Sequence, residues 1–319
     1  MPTAISGAGR IRTNTPAENA YNALMKSNNI IANAQLRLST GKRINSAADD
    51  VAGYITSRSL SARNGALKTS ATATGEAQNV TAISSDALDN INSLLGQIKD
   101  AASTASSGAL GTNEKVALAQ SAYRLAQQIQ FVVDSTVFGG KQLLQGSFSG
   151  DWTIGYYANN ALMTLGIDLS KGNSEFGLEA EFDLNATNAA TNSNGAGALA
   201  TNFAGVTGLS LESLSEINGD NLGLFATDSI SATITSLGTA LENVNKVAAY
   251  LGGVQVRLNS QEELLQSQIT NYNAAISRIQ DADVAQEQLD LIKAQFLQQT
   301  SLISLAQANQ NPQAFLQLF

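Results

Sequence analysis

The 319 residues include no cysteine and no histidine. Their absence removes disulfides, thiolate chemistry, imidazole acid–base catalysis and the commonest zinc ligands together, so an enzymatic site would have to be built from carboxylates, lysines and hydroxyls. Proline is nearly missing too: it occurs only at positions 2, 16 and 312, and the stretch from Ala17 to Asn311 is free of the strongest helix breaker. Aromatic residues make up 6% and charged residues 14%, with a net charge of −8. These values argue against a dense aromatic core and against a polyanion-binding footprint. No run approaches the ~20 consecutive apolar residues of a membrane helix. The opening MPTAISGAGRIRTNT lacks the continuous apolar core of a secretory signal. The expectation is a chain that stays in the cytoplasm or leaves by a route that cleaves no signal. Its length allows two modest domains or one elongated body.

What the chain does contain is helical pattern. Thr15-Pro16-Ala17-Glu18 reads as a capping box, with Thr15 at the cap and a glutamate three residues on. After it Ala17, Ala20, Leu24, Ser27, Ile31, Ala34 and Leu38 recur at alternating three- and four-residue steps, forming one narrow seam that stops at Ser39-Thr40-Gly41. Ser46-Ala47-Ala48-Asp49 predicts a second start, followed by helix to about Ser106 with an apolar stripe of Val80, Ile83, Ala87, Ile91, Leu94, Ile98, Ala101 and Ala105. A third helix is carried by Val116, Ala119, Tyr123, Ala126, Ile129 and Val133, antiparallel to the second because the connection is short.

From Ser135 the period changes. β-Branched and aromatic residues, with Gly139-Gly140 and Asn159-Asn160, predict a small antiparallel β region of hairpins. Between about Asn185 and Gly208 the composition is low in complexity, and a surface insertion is expected. The strongest periodicity follows: Leu237, Leu241, Val244, Ala248, Leu251, Gln255, Leu258, Glu262, Leu265, Ile269, Tyr272, Ile276 and Ile279 keep strict four–three spacing, and only Gln255 and Glu262 are polar. This is a coiled-coil seam roughly 65 Å long. It demands an equally long partner, for which the helix ending near Ser106 is the candidate. Beyond Asp281 the pattern shifts phase and continues through Ala285, Leu289, Ile292 and Phe296.

The motifs that could carry chemistry are better read as structure. Asp49-Asp50 and Asp281/Asp283 sit where helices begin or change phase, where capping accounts for aspartate. Gly41-Lys42 is superficially like a phosphate loop, but Leu36 stands where that loop needs glycine and Arg43 where it needs a hydroxyl. The tail from Ala294 to Phe319 carries no charge at all. Its glutamines exclude a membrane anchor, and its leucines, isoleucines and phenylalanines exclude a solvated linker. Burial against other copies of the chain remains, since side-chain amides can satisfy one another there, whereas a charge would be desolvated at several kcal/mol. Without neighbours the tail is expected to be largely unfolded. The ends also differ in charge: residues 1–43 hold six basic and one acidic residue, and residues 280–319 four acidic and one basic.

LSTGKRINSAADDVAGYITSRSL at 38–60 resembles the amino-terminal signature of bacterial flagellin, departing at Lys42 and Tyr54. SRIQDADVAQEQLDLIKAQFLQQTSLISLAQANQNPQAFLQLF at 277–319 resembles the carboxy-terminal signature, with Phe319 in place of the usual basic ending. TVFGGKQLLQGSF at 136–148 is similar to the hairpin in the outer part of that family's core. The resemblance implies a mainly α protein: a long antiparallel helical bundle or coiled coil with a small antiparallel β-hairpin region and a short variable insertion. It implies inner-tube segments at 1–45 and 281–319, outer-tube helices and hairpins at 46–179, an insertion at 180–215 and a long outer-tube helix at 216–280. About six residues would precede the usual amino terminus. Self-assembly would use Ala20, Leu24, Ile31 and Leu38 with Leu289, Ile292, Phe296, Leu302, Leu305, Phe315 and Leu318. Within the chain, Ile91, Leu94 and Ile98 would form a coiled-coil seam with Leu251, Leu258, Leu265, Ile269, Tyr272 and Ile276.

As partners the resemblance implies other copies of the chain, an export chaperone on the carboxy-terminal segment, and cap and hook-junction proteins, without nucleic acid or membrane insertion. It implies export unfolded through the flagellar type III channel to an extracellular filament, and no catalytic residue, metal or cofactor. Gln97 and Ala101 align with an arginine and a leucine through which many flagellins meet a Toll-like receptor, so weak receptor activation is expected. The missing histidine excludes the metalloprotease insertion of some flagellins. The rival readings are a hook–filament junction protein, an adhesin presenting residues 140–230, and a carboxylate hydrolase, for which no convergent acid–base pair is visible.

Overall fold

A 26-residue helix α1, Thr15–Thr40, opens the fold. The computed structural model describes residues 14–157, 161–186 and 203–316, with side chains to residue 310. The cap of α1 is Asn14, one residue before the Thr15 expected: its side chain accepts from the Ala17 amide, and Pro16 falls in the first turn. Asn14 also donates to the Ala308 carbonyl at 2.9 Å, so it closes two helix ends at once. Asn14→Ala is expected to cost about 1 kcal/mol, read as lower helicity and an earlier thermal transition by circular dichroism. Gly41, in the left-handed region at φ 69°, ends the helix.

Helix α2 spans Val51–Ala105, α3 Thr112–Ser135, α4 Ile230–Gln280 and α5 Val284–Leu316. Two antiparallel hairpins lie between α3 and α4: β1 Val137–Phe138 with β2 Lys141–Gln142, and β3 Ser149–Tyr156 with β4 Leu162–Asp168. Gly139 and Gly140 take positive φ at the first turn. The expected Asn159-Asn160 turn lies outside the described residues. The fold class is therefore the one expected, mainly helical with small hairpins.

The start of α2 differs from expectation. Asp49 does not cap a helix at Ser46; its Oδ2 accepts from the backbone of Asn45 and Ser46 and from the Ser46 hydroxyl, closing a turn. The cap is Asp50, whose Oδ1 accepts from the Gly53 amide.

The chain falls into two compact units. The first is made from the described parts of Met1–Gly65 and Ile269–Phe319, the second from Ala66–Gln268. In the first, α1 and α5 run antiparallel along their length. The connection after α1 is tied to the connection before α5: Arg43 donates through its amide to Gln280 (2.7 Å) and through its guanidinium to Ile279 (2.9 Å), while the Ala282 amide donates to Gly41 (2.9 Å). Ile44 is buried beneath this clamp.

The second unit holds the continuous core. α2 contributes Ala77, Val80, Leu88, Ile91, Leu94, Leu95, Ile98, Ala102 and Ala105; α3 contributes Ala119, Ala122, Ala126, Ile129 and Val133; α4 contributes Leu237, Val244, Leu251 and Leu258. The stripe expected on α2 is out of phase in part: Ile83 is exposed and Ala87 and Ala101 are half-buried, whereas Thr81, Ser84, Leu88 and Ala102 are buried. The α4 seam follows the expected spacing throughout, with none of its residues exposed.

The insertion is also not all surface. Its described flanks place Phe182, Leu184, Phe203, Leu209, Leu211 and Leu214 in the core. Asn243 of α4 donates to the Ala204 carbonyl at 2.8 Å, holding a non-glycine residue at φ 50°. Residues 187–202 lie outside the described residues. Phe176 packs edge-on against Phe182 and Tyr250, and Gln261 donates to Ile154 in β3, so the hairpin and the 170–186 loop both close on α4.

Candidate self-assembly interface

The α1–α5 pair is built from small residues. In α1, Ala20, Ser27 and Ala34 are buried at heptad spacing; in α5, Ala294, Ser301 and Ala308 are buried at the same spacing. The two Ala-Ser-Ala series run in opposite directions, and side chains this small let the helices approach closely. The larger seam residues Leu24, Ile31 and Leu38 of α1 and Leu291, Gln298 and Leu305 of α5 are half-buried around them. Polar ties are few: Arg37 Nη1 meets Glu287 Oε1 at 3.1 Å and Gln298 donates to Asn28 at 2.7 Å. The Arg37–Glu287 pair satisfies the expected charge complementarity of the two ends, worth about 0.2–1 kcal/mol at this exposure.

Many other large apolar side chains point away from this seam. Leu289, Ile292 and Leu302 are exposed, as are Phe296 (67%) and Ile303 (72%) on α5, and Tyr21, Met25, Ile30 and Leu36 on α1. Among the described residues, the buried positions of the pair are all small, while these nine large apolar ones are exposed. A monomeric protein rarely leaves so long an apolar surface uncovered. On one side the helices leave a groove of about 550 Å³ lined by Lys26, Ile30, Asp290, Lys293 and Leu297 among others.

The residues expected to assemble therefore divide. Ala20 is buried and Leu24, Ile31, Leu38 and Leu305 half-buried in the seam between α1 and α5 of one chain. Leu289, Ile292, Phe296 and Leu302 are free of that seam. The sequence pattern, shifted in phase beyond Ile279, runs through Ala285, Leu289, Ile292 and Phe296; the seam residues of α5 are instead Leu291, Ala294, Gln298, Ser301, Leu305 and Ala308. Phe315 lies on α5 beyond the described side chains, and Leu318 lies outside the described residues. Tyr21, Met25, Ile30 and Leu36 were missed, though a signal existed: they are the large apolar residues of α1 left over once its seam is drawn.

Of the expected α2–α4 seam, Ile91, Leu94, Ile98, Leu251, Leu258 and Leu265 are buried and Ile269, Tyr272 and Ile276 half-buried. Gln97 is exposed on α2 and Ala101 half-buried.

Of the candidate carboxylates, Asp50 and Asp283 act as helix caps and Asp49 closes a turn. Asp283 Oδ1 accepts from the Ala285 and Gln286 amides at the start of α5, as Asp50 does for α2. Asp49 is held below its ordinary carboxylate range by the Ser46 amide first, then by the Asn45 amide and the Ser46 hydroxyl. A lowered folded-state pKa means that this turn is strongest above the ordinary aspartate range and weakens as pH falls through the lowered value. Among the described residues no three acidic side chains converge as a metal site would require, and no helix is long and apolar enough to cross a membrane.

Residues 11–149 match the family model for the bacterial flagellin N-terminal helical region, and residues 234–319 match that for the C-terminal helical region. The chain is 28% identical to flagellin of Bacillus subtilis strain 168 over 97% of its own length and 99% of that protein's. It is 28% identical to flagellin A of Vibrio cholerae, covering 97% of this chain and 98% of the other. A crystal structure of Bacillus cereus flagellin aligns with TM-score 0.40 and 19% identity, over 63% of this chain and 93% of that one.

Proposed function

The chain belongs to the bacterial flagellin family and is a structural subunit of the flagellar filament, and on that premise we propose how it polymerises. The outward apolar face of the α1–α5 pair, centred on Leu289, Ile292, Phe296, Leu302 and Ile303, is buried by the same pair in neighbouring copies. The contact is heterologous, joining different surfaces on the two copies, so repeated addition generates an open helix. The inside-out distribution of residue size in α1 and α5 carries this reading. A pair of helices that already satisfied its burial within one chain would not leave Leu289, Ile292, Phe296, Leu302 and Ile303 outside the seam.

In this reading residues 1–45 and 281–319 line the inner tube, residues 46–179 and 216–280 form the outer tube, and 180–215 is the variable insertion. The subunit leaves the cell through the flagellar type III channel, an export chaperone holds its carboxy-terminal segment, and cap and hook-junction proteins bound the filament outside the cell. The flagellin names of the relatives favour a filament subunit over a junction protein or an adhesin.

Electron microscopy of the purified chain under polymerising conditions tests the proposal: long helical filaments are expected, and a folded chain that forms none alone would favour a junction protein. With Gln97 and Ala101 in place of the arginine and leucine of many flagellins, activation of the flagellin-sensing Toll-like receptor is expected to be weak in reporter cells. A potent response would overturn that assignment.

A further inference from the structure

Side-chain amides pair across α2 and α4 at a fixed interval. Asn92 Nδ2 donates to Asn245 Oδ1 at 2.9 Å, and Gln78 Nε2 donates to Asn259 Oδ1 at 3.1 Å and to Glu262 at 2.9 Å. In the first unit Asn64 Nδ2 donates to Asn273 Oδ1 at 2.7 Å. Successive pairs are two heptads apart in both helices, so all three share one antiparallel register.

The apolar seam cannot choose that register by itself. On α4 the buried positions Leu237, Val244, Leu251, Leu258 and Leu265 repeat every heptad with residues of similar size. On α2, Ser70, Ala77 and Ser84 repeat at one seam position and Thr74 and Thr81 at the other. Thr74 and Thr81 bond back to the carbonyls of Ser70 and Ala77 on their own helix, so they ask nothing of α4. Displacing α4 by one heptad, about 10 Å, would set like against like through most of this segment. A slipped register is the standing competitor of any self-similar coiled coil.

The amides distinguish the registers between α2 and α4, beside the contacts of Asn243, Tyr250 and Gln261 with other elements, and two glycines sharpen the choice. Gly238 and Gly252 stand one heptad to either side of Asn245, inside a helix where glycine costs stability. A Cβ at Gly252 would meet nothing within 4 Å, so packing does not demand glycine there, and a Cβ at Gly238 would meet only the flexible Lys99 Nζ at 3.5 Å. Elsewhere the heptad neighbours on α4 are amides: Gln266 follows Asn259, and Gln280 follows Asn273. A slip toward Gly252 would keep amides opposite Asn64 and Gln78 and leave Asn92 facing glycine. A slip the other way would bring Gly238 opposite Asn92 and Gly252 opposite Gln78. We propose that the solvent-exposed Asn92–Asn245 pair is a register-selecting contact of the α2–α4 coiled coil, acting beside the ties of Asn243 and Gln261 to other elements, and that Gly238 and Gly252 deprive Asn92 of a side-chain partner in both neighbouring registers. These are positioning residues, and the proposal is independent of how copies assemble.

The absence of cysteine allows a clean test. Nitroxide labels at Asp89→Cys and Val256→Cys, both exposed sites, report the axial relation of the two helices by pulsed electron paramagnetic resonance. The full-length labelled chain, diluted with unlabelled chain, is expected to give one interspin distance. Adding Asn245→Gly with Gly252→Asn moves the α4 amide one heptad, and the distance is expected to shorten as residue 256 comes level with residue 89. Gly252→Ala alone, which restores helix propensity without an amide, is expected to keep the parental distance. Persistence of the parental distance in the double variant, or an equal shift in Gly252→Ala, overturns the proposal. If the double variant loses its helical circular dichroism, Asn92→Ala decides. It leaves two amide pairs in either register, so a second, shorter distance is expected, and a single parental distance overturns the proposal.

Discussion

A chain ending before Ala294 is expected to form no filaments and to keep a folded middle. The deletion removes Ala294, Ser301 and Ala308, the buried face of α5, along with Phe296, Leu302 and Ile303 on its outer face. Helix α1 then has nothing on which to place Ala20, Ser27 and Ala34, and a helix in a protein draws most of its stability from the packing of such a face. The core of Ala66–Gln268 loses none of its residues, since no member of its hydrophobic cluster lies beyond Leu258. The measurements are negative-stain microscopy for filaments, and circular dichroism with limited proteolysis for the middle. Filaments grown from the truncated chain would exclude any need for the carboxy-terminal helix.

The double variant Ile292→Ser, Phe296→Ser separates the two faces of α5. Both side chains are more than half exposed, so the isolated chain should change stability by no more than about 0.5 kcal/mol. In the polymer, each apolar side chain buried contributes about 1.5–3 kcal/mol. Losing two such terms raises the critical concentration for filament growth by about 100-fold to 10,000-fold. Sedimentation of polymer across a concentration series measures this directly. An unchanged critical concentration would mean that this stripe faces solvent in the filament as it does in the single chain, and would remove the central contact of the polymerisation proposal.

Periodicity served well where apolar and polar residues contrast. The four–three run from Leu237 to Ile279 and the seam of α1 both survive in the structure residue by residue. It slipped on α2, where alanine, serine and threonine fill every face. Counting Ile83 as apolar and Ser84 as polar sets the stripe one residue out, because Ser84 is small enough to lie fully buried beneath α4 while Ile83 faces outward. The same limitation affects the caps. Thr15 and Asn14 are both good capping residues, and the choice fell to Asn14 because its amide also reaches the Ala308 carbonyl, a contact 294 positions away in the chain.

The residues between 180 and 215 show a further limit. Composition marked about Asn185–Gly208 as a surface insertion and the resemblance widened it to 180–215, yet Phe203, Leu209, Leu211 and Leu214 are buried, and Asn243 reaches across to hold Ala204. Low complexity between 187 and 202 had extended that expectation over flanks that contribute to the core.

By itself the sequence determined that this protein is helical, lacks the side chains of most catalytic sites, and ends in uncharged apolar surface; these depend on residue type and spacing alone. Which face of each of α1 and α5 is buried inside the chain and which is left exposed was decided by tertiary structure. Close approach of α1 and α5 is possible only along their smallest residues, and packing the alanines and serines there turns Leu289, Ile292 and Phe296 outward.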